Sequence, residues 1–217
     1  MALAIFDLDE TLISGDSDHE WGSYLAASGL VDAEEHGRQN DRFFEQYKAG
    51  ELDIDAYLRF SFSVLKTHPP DVLNRHLAEY VHTRVTPMIL DRARELVENH
   101  RRAGDHLMVI TSTSEFVTRP IVDLFGIETL IAPVPEFVDN HYTGEVEGIP
   151  SFAEGKVTRL KLWLESTNHD LDGSYFYSDS HNDLPLLRLV DYPVAVDPDD
   201  ILRAEAEARQ WRIISLR

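Results

Sequence analysis

The chain has 217 residues, 43% of them apolar, and no cysteine. That length suits one domain with an insertion or two small ones, and the missing thiols exclude disulfides, thiolate nucleophiles and cysteine-ligated zinc. A formal net charge of −19 argues against nucleic acid and anionic membranes as partners, because like charges repel.

Residues 2–6, ALAIF, form a short apolar run that stops at Asp7. This reads as a buried strand carrying DLDET at its C-terminal end. No basic segment precedes it, and acids soon interrupt it, so no signal peptide is expected. No apolar window is long enough to span a bilayer, and a cytoplasmic location is expected. From about 17 to 84 apolar residues fall at helical spacing, as in Trp21, Tyr24 and Leu25, then Leu58, Phe62 and Leu65. About four helices are expected there, broken at Gly50 and at Pro69-Pro70. Pro87 starts a different rhythm: helix over 88–102, strand from 106 into TSTS (111–114), helix over 115–125, strand at 129–133. FVDNHYTGEV reads as a hairpin. Helix 155–166, strand 174–180 ending in an acid, helix 182–190, strand 193–196, helix 199–208 and strand 211–216 complete the chain.

Strands alternating with helices predict an α/β fold, a parallel sheet with helices on both faces, interrupted by an all-helical insertion. The expected division is a core of 1–15 and 86–217 and a cap of 16–85. Ligands of such sheets bind at the C-terminal strand ends. DLDET, TSTS and SDSHND (178–183) all fall there.

Two carboxylates two residues apart, Asp7 and Asp9, are costly at the end of a buried strand unless something offsets them. A bound dication does so, and oxygen-rich sites suit magnesium. Asp7 can attack phosphorus, and Asp9 can move protons to and from the reacting oxygens. The plainer reading is a turn capping a helix. Thr111 and Ser112 sit where a hydroxyl and helix-start amides can hold phosphoryl oxygens, although Ser and Thr are common helix caps anyway. Lys156 can offset clustered acids and bind phosphate; a lone lysine at a helix start is more often a solvated charge. Asp179 is placed to complete a metal site and Asp183 to orient Lys156, with helix capping again the plainer alternative. His181 reads as a bystander. The four stretches together, in order and each at a strand end or helix start, point to metal-assisted phosphoryl chemistry.

On DLDET followed by TL, Thr111, Lys156 and SDSHND, the chain resembles the haloacid dehalogenase superfamily, in the branch with a helical cap between its first two motifs. The resemblance spans essentially the whole chain. It implies a Rossmann-like core, Mg2+ as cofactor and a small-molecule phosphate ester as substrate. Asp7 is then nucleophile and metal ligand, and Asp9 is general acid/base with its carbonyl on the metal. Thr111, Ser112, Lys156 and Asn182 bind phosphate, Asp179 ligates the metal, and Asp183 supports the site. Within the branch the chain is similar to phosphoserine phosphatases, and more so to a bacterial group with GDSDHxWG (Gly15–Gly22) whose members are similar to histidinol-phosphate phosphatases. It departs from the former in reading TST where SGG is usual. Arg59, in DIDAYLRF, falls where those enzymes carry a cap arginine for the substrate carboxylate.

Asp16, Asp18 and Glu20 can bind an ammonium, or simply favour a helix start. His19 and Trp21 can face an imidazole, with helix core the plainer role for Trp21. Phe43, Phe44 and Tyr47 are expected to pack the cap, or to support a homodimer in place of a monomer. Phosphoryl transfer to a second alcohol, in place of water, is the rival chemistry on the same fold.

Overall fold

The computed structural model describes residues 2–217. β1 (Leu3–Phe6) is buried along its whole length. Four helices follow before the next strand: α1 (Ser17–Ser28), α2 (Ala33–Lys48), α3 (Ile54–Thr67) and α4 (Pro70–Tyr80). Their starts are written locally. Asp16, Asp32 and Asp53 each accept a backbone amide of the first turn they cap, and Pro70 opens α4 where a missing N–H costs nothing. The chain then returns through α5 (Asp91–Ala103), β2 (His106–Ile110), α6 (Glu115–Asp123) and β3 (Thr129–Ile131). After a hairpin of β4 (Val134–Val138) and β5 (His141–Glu147) come α7 (Glu154–Glu165), β6 (Tyr175–Ser178), α8 (Leu184–Leu187), β7 (Tyr192–Val196), α9 (Asp200–Arg209) and β8 (Arg212–Ile214).

The six-stranded sheet has the order β3-β2-β1-β6-β7-β8, and every pairing is parallel. Successive side chains of a strand face opposite sides, so β1 feeds two cores. Leu3 and Ile5 pack with Leu160, Leu186 and Leu202 of α7, α8 and α9. Ala4 and Phe6 pack with Val97, Val117 and Ile121 of α5 and α6, and this second core runs on into the cap. The order in which strands are added reverses about β1, which lies between β2 and β6, with Phe6 opposite both Val109 and Tyr177. A crevice opens at such a switch point. The three chemically loaded stretches follow the ends of β1, β2 and β6, the three adjacent strands that meet there.

The helical insertion is anchored by an aromatic cluster. Trp21 stacks on Tyr24 at 5.5 Å between ring centroids, meets Tyr80 edge-on at 5.1 Å and reaches Phe116 of α6 at 6.1 Å. The tyrosine hydroxyl of Tyr80, fully buried, donates to the Ser17 carbonyl at 2.6 Å, tying the last cap helix to the first. The expected hairpin is present, closed by Asp139-Asn140 with φ of 48° and 63°, the backbone of a two-residue turn. It stands outside the main sheet and β5 packs on α3, so a piece of the core chain props the cap. The expected helix at 182–190 is shorter, a 3-10 turn at His181–Asp183 followed by α8.

Phe62 on α3 is fully buried in the shared core. Phe62→Ala is expected to cost about 3–5 kcal/mol through lost burial and the cavity left behind. The check is a lower urea midpoint with an unchanged denaturant slope.

Candidate active site

Asp7 follows directly on β1 and is 3% exposed. Its amide continues the sheet by donating to the Tyr177 carbonyl at 2.9 Å. Lys156, in the first turn of α7, is 2% exposed, and its Nζ lies 2.9 Å from Asp7 Oδ1 and 2.8 Å from Asp183 Oδ2. The turn before α7 is crowded: a Cβ on Gly155 would stand 2.0 Å from the Pro150 carbonyl oxygen, so only glycine lets the helix start where Lys156 reaches the acids. Ser178 donates to Asp183 at 2.7 Å, and Thr11 donates to Asp179 Oδ1 at 2.9 Å. One lysine therefore pairs with two buried carboxylates, while a third, Asp179, has only a threonine hydroxyl beside it.

The electrostatics follow from that imbalance. Burial pushes the Asp7 carboxyl up to about 7; Lys156 pulls it down and Asp183 adds to the rise. Burial and the neighbouring Asp7 push Asp179 well above the carboxylate range. Burial alone would lower the Lys156 ammonium, but Asp183 and Asp7 outweigh it and hold the group protonated. Unscreened negative charge of this kind favours a dication. Among the described residues no three Asp, Glu or His side chains form a ready-made metal cage. The residues nevertheless fit magnesium, which is commonly bound by one or two carboxylates and keeps waters and substrate oxygens as its other ligands. Asp7 and Asp179 would be those carboxylates. His181 is turned away, with Nδ1 on Asp199 at 2.8 Å.

Asp9 points the other way, towards the cap. Its Oδ1 accepts from the Ser17 amide at 2.6 Å and its Oδ2 from the Thr113 hydroxyl at 2.8 Å. Burial, with Asp16 nearby, pushes its carboxyl up to about 7. Thr111, directly after β2, accepts the Thr113 amide at 3.1 Å on its hydroxyl, and its carbonyl accepts from Ser151 at 2.6 Å.

A cavity lies between Asp7 and Asp9 and the cap helices, with Ser112 and Thr113 on its core side. Asp16, Asp18 and His19 of the cap entrance line it, as sequence placed them. Burial raises Asp16 to about 6 and Asp18 to about 7, the latter against a hydrogen bond from Tyr57. His19 stacks on Phe44 at 4.4 Å, and its Nε2 meets Asp41 at 2.8 Å. Phe43, Phe44, Tyr47 and Tyr57 also line the cavity. The first three were expected to pack the cap or to support a homodimer; helical spacing alone cannot tell a core face from a pocket face. The cap sits down on the core at its tip. Asn182 Nδ2 donates to the Tyr47 carbonyl at 3.1 Å, and a Cβ on Gly50 would come within 2.7 Å of His181 Nε2. Asn182 thus engages the cap, where sequence had placed it on phosphate.

Three of the candidates for substrate specificity do not join the cavity. Glu20 is half-buried elsewhere on α1. Trp21 is held in the aromatic cluster described above. Arg59 is exposed and lines a separate groove between α2 and α3, beside His36 and Phe60. Residues two apart on a helix point about 200° apart, so once Tyr57 faces the cavity Arg59 faces away.

A family model for haloacid dehalogenase-like hydrolases matches residues 4–188. The chain belongs to this family. It is similar to a histidinol-phosphatase of Neisseria meningitidis serogroup C (strain 8013), 46% identical over 219 residues that cover 99% of both chains. Its structure is similar to that of a Bordetella pertussis Tohama I protein of unknown function, with a TM-score of 0.94, 42% identity and coverage of 100% of this chain and 99% of that one. A substrate-bound phosphoserine phosphatase complex shares the fold, with a TM-score of 0.73, 19% identity and coverage of 98% and 92%. The chain is an enzyme, a phosphatase of this family. No helix among the described residues is long and apolar enough to cross a membrane.

Breaking a buried charge pair by removing one partner typically costs about 3–5 kcal/mol, because it strands the other charge. Lys156→Met is expected to lose stability on that scale. Adding Asp183→Leu should recover part of it, read as a raised urea midpoint in the double variant.

Proposed function

We propose that this chain is a magnesium-dependent phosphomonoesterase that works through a phospho-aspartate on Asp7, with histidinol phosphate as its substrate. The observation that carries the choice of substrate is the lining of the cavity. Carboxylates (Asp16, Asp18) and aromatic rings (Phe43, Phe44, Tyr57, with His19) surround it, and no arginine lines it. Histidinol phosphate brings an ammonium for the acids and an imidazole for the rings. O-phosphoserine would bring a carboxylate to a site already rich in them, and the arginine suited to receive it, Arg59, faces the other groove. The similarity to the Neisseria histidinol-phosphatase supports the same reading.

Asp7 and Asp179 would hold the metal through their carboxylates and Asp9 through its carbonyl. Magnesium would supply positive charge against the phosphoryl oxygens, in a protein whose overall charge repels them. Asp7 attacks phosphorus in line with the ester oxygen while Asp9 protonates the departing alcohol. Lys156 holds Asp7 in place and faces the charge that builds on the phosphoryl group. Asp9, now ionised, takes a proton from the water that displaces Asp7. Thr111 and the amides at the start of α6 offer donors to the phosphoryl oxygens. The closed cap keeps bulk water from the phospho-aspartate.

The deciding experiment is phosphate release with magnesium from histidinol phosphate and O-phosphoserine in parallel. Histidinol phosphate is expected to be strongly preferred, Asp7→Asn to abolish turnover, and Arg59→Ala to leave kcat/KM unchanged. A preference for O-phosphoserine that Arg59→Ala removes would overturn the substrate assignment. Turnover by Asp7→Asn would overturn the mechanism, and label passing to an added alcohol in preference to water would make the enzyme a phosphotransferase.

A pH dependence follows from the raised acids. Asp16 and Asp18, at about 6 and 7, are ionised above those values and neutral below them. An ammonium is held only by the ionised form. KM for histidinol phosphate is therefore expected to rise as pH falls from about 7 towards 6. KM for phenyl phosphate, which carries no ammonium, should rise much less over the same range.

A further inference from the structure

Asp9 is held by two donors from distant parts of the chain. The Thr113 hydroxyl reaches its Oδ2 across 104 positions of sequence. The Ser17 amide reaches its Oδ1 from the first residue of the cap. We propose that Thr113 is a positioning residue for Asp9, fixing the carboxyl at the angle from which it delivers its proton to the departing oxygen. The proposal rests on the phospho-aspartate reading given above.

The terminal torsion of an aspartate is broad and roughly two-fold, so a carboxyl held at one oxygen only can still swing. Held at both, it cannot. Each oxygen keeps a further lone pair for the mobile proton, so the clamp orients the acid without occupying it. The donors are themselves rigid. Thr113 is β-branched, which restricts its first torsion, and it is 4% exposed. Its amide is tied to the Thr111 hydroxyl, and the Thr111 carbonyl is tied to Ser151. On the other side the Ser17 carbonyl is tied to the buried Tyr80 hydroxyl. One donor thus belongs to the core and the other to the cap, and Asp9 bridges them.

The position also accounts for the departure of TST from the SGG usual in phosphoserine phosphatases. A glycine in the third place brings no hydroxyl, whereas Thr113 brings one to within 2.8 Å of the acid. In the first half-reaction a bond forms between Asp7 Oδ and phosphorus, the ester P–O bond breaks, and the Asp9 proton passes to the leaving oxygen. In the second, Asp9 takes a proton from water as its oxygen bonds to phosphorus and the Asp7–phosphorus bond breaks. Proton delivery in the first matters most when the leaving group is a poor one, such as an alkoxide.

That dependence supplies the test. Thr113→Val keeps the branched shape and removes the hydroxyl; Thr113→Ser keeps the hydroxyl. Both are compared with the wild type by kcat/KM on an alkyl ester (histidinol phosphate, or O-phosphoserine should that be the better substrate) and on p-nitrophenyl phosphate, whose leaving group needs no proton. General acid–base help is worth about 10²–10⁴-fold, so a misaligned acid is expected to cost Thr113→Val roughly 10–100-fold on the alkyl ester and under about 3-fold on the aryl ester. Thr113→Ser should recover most of the alkyl activity. Equal losses on both esters, no loss on the alkyl ester, or a serine variant as impaired as the valine variant would each overturn the proposal. Failure of the underlying mechanism would show separately, as turnover by Asp7→Asn.

Discussion

At the switch point of the sheet two carboxylates, Asp7 and Asp183, share one ammonium, and a third, Asp179, adds its charge to theirs. Among the described residues Lys156 is the cation paired with both Asp7 and Asp183, and Asp179 lies beside them with a threonine hydroxyl for a partner. In water such a cluster costs little. Inside a folded protein each uncompensated charge is expensive. The fold answers this partly by protonation, with Asp7 raised to about 7, and the residues fit a dication as the fuller answer. A dication held by that excess of acid would draw in a phosphate ester, which the −19 surface would otherwise repel.

The proposed catalytic pair is divided between two environments by the backbone. Asp7 faces the lysine and the core acids. Asp9, two residues on in a tight turn, faces the cap and is held by Ser17 and Thr113. Two carboxyls close in sequence thereby take different partners, which is how one motif can supply both a nucleophile and a proton carrier. The cap is part of this division. It supplies the Ser17 amide to Asp9, seats its tip on Asn182 and lines the cavity with its own acids and rings. On the proposed function, specificity and protection from water would both come from one piece of chain, inserted between the first strand and the rest.

Much of this was legible in the sequence. Apolar runs ending in DLDET, TSTS and SDSHND marked the strand ends, because strand pattern and turn chemistry are local. Lys156, 23 residues before Asp179, could be assigned only from its place in the motif set, and the packing of α7 then brought it within 2.9 Å of Asp7. The cap entrance residues Asp16, Asp18 and His19 reach the cavity because they follow the nucleophile loop at once and have little freedom to go elsewhere.

What the tertiary structure alone decided is which face each helix turns to the site. Arg59 was the α3 candidate in the sequence, and the rotation of α3 against β5 and α2 gives the cavity to Tyr57 instead. Phe43, Phe44 and Tyr47 carry the same spacing whether they fill a core or line a pocket, and only the closure of the cap distinguishes the two. The hydrogen bond from Asn182 to the Tyr47 carbonyl at the cap tip had no signal in the sequence. Thr113 and Asp9, 104 residues apart, had no local signal linking them. Local pattern determines elements and the ends that carry chemistry, because it depends on neighbours in the chain. Helix rotation, cap closure and side-chain partners depend on packing between distant segments, and that is settled only when the whole core forms.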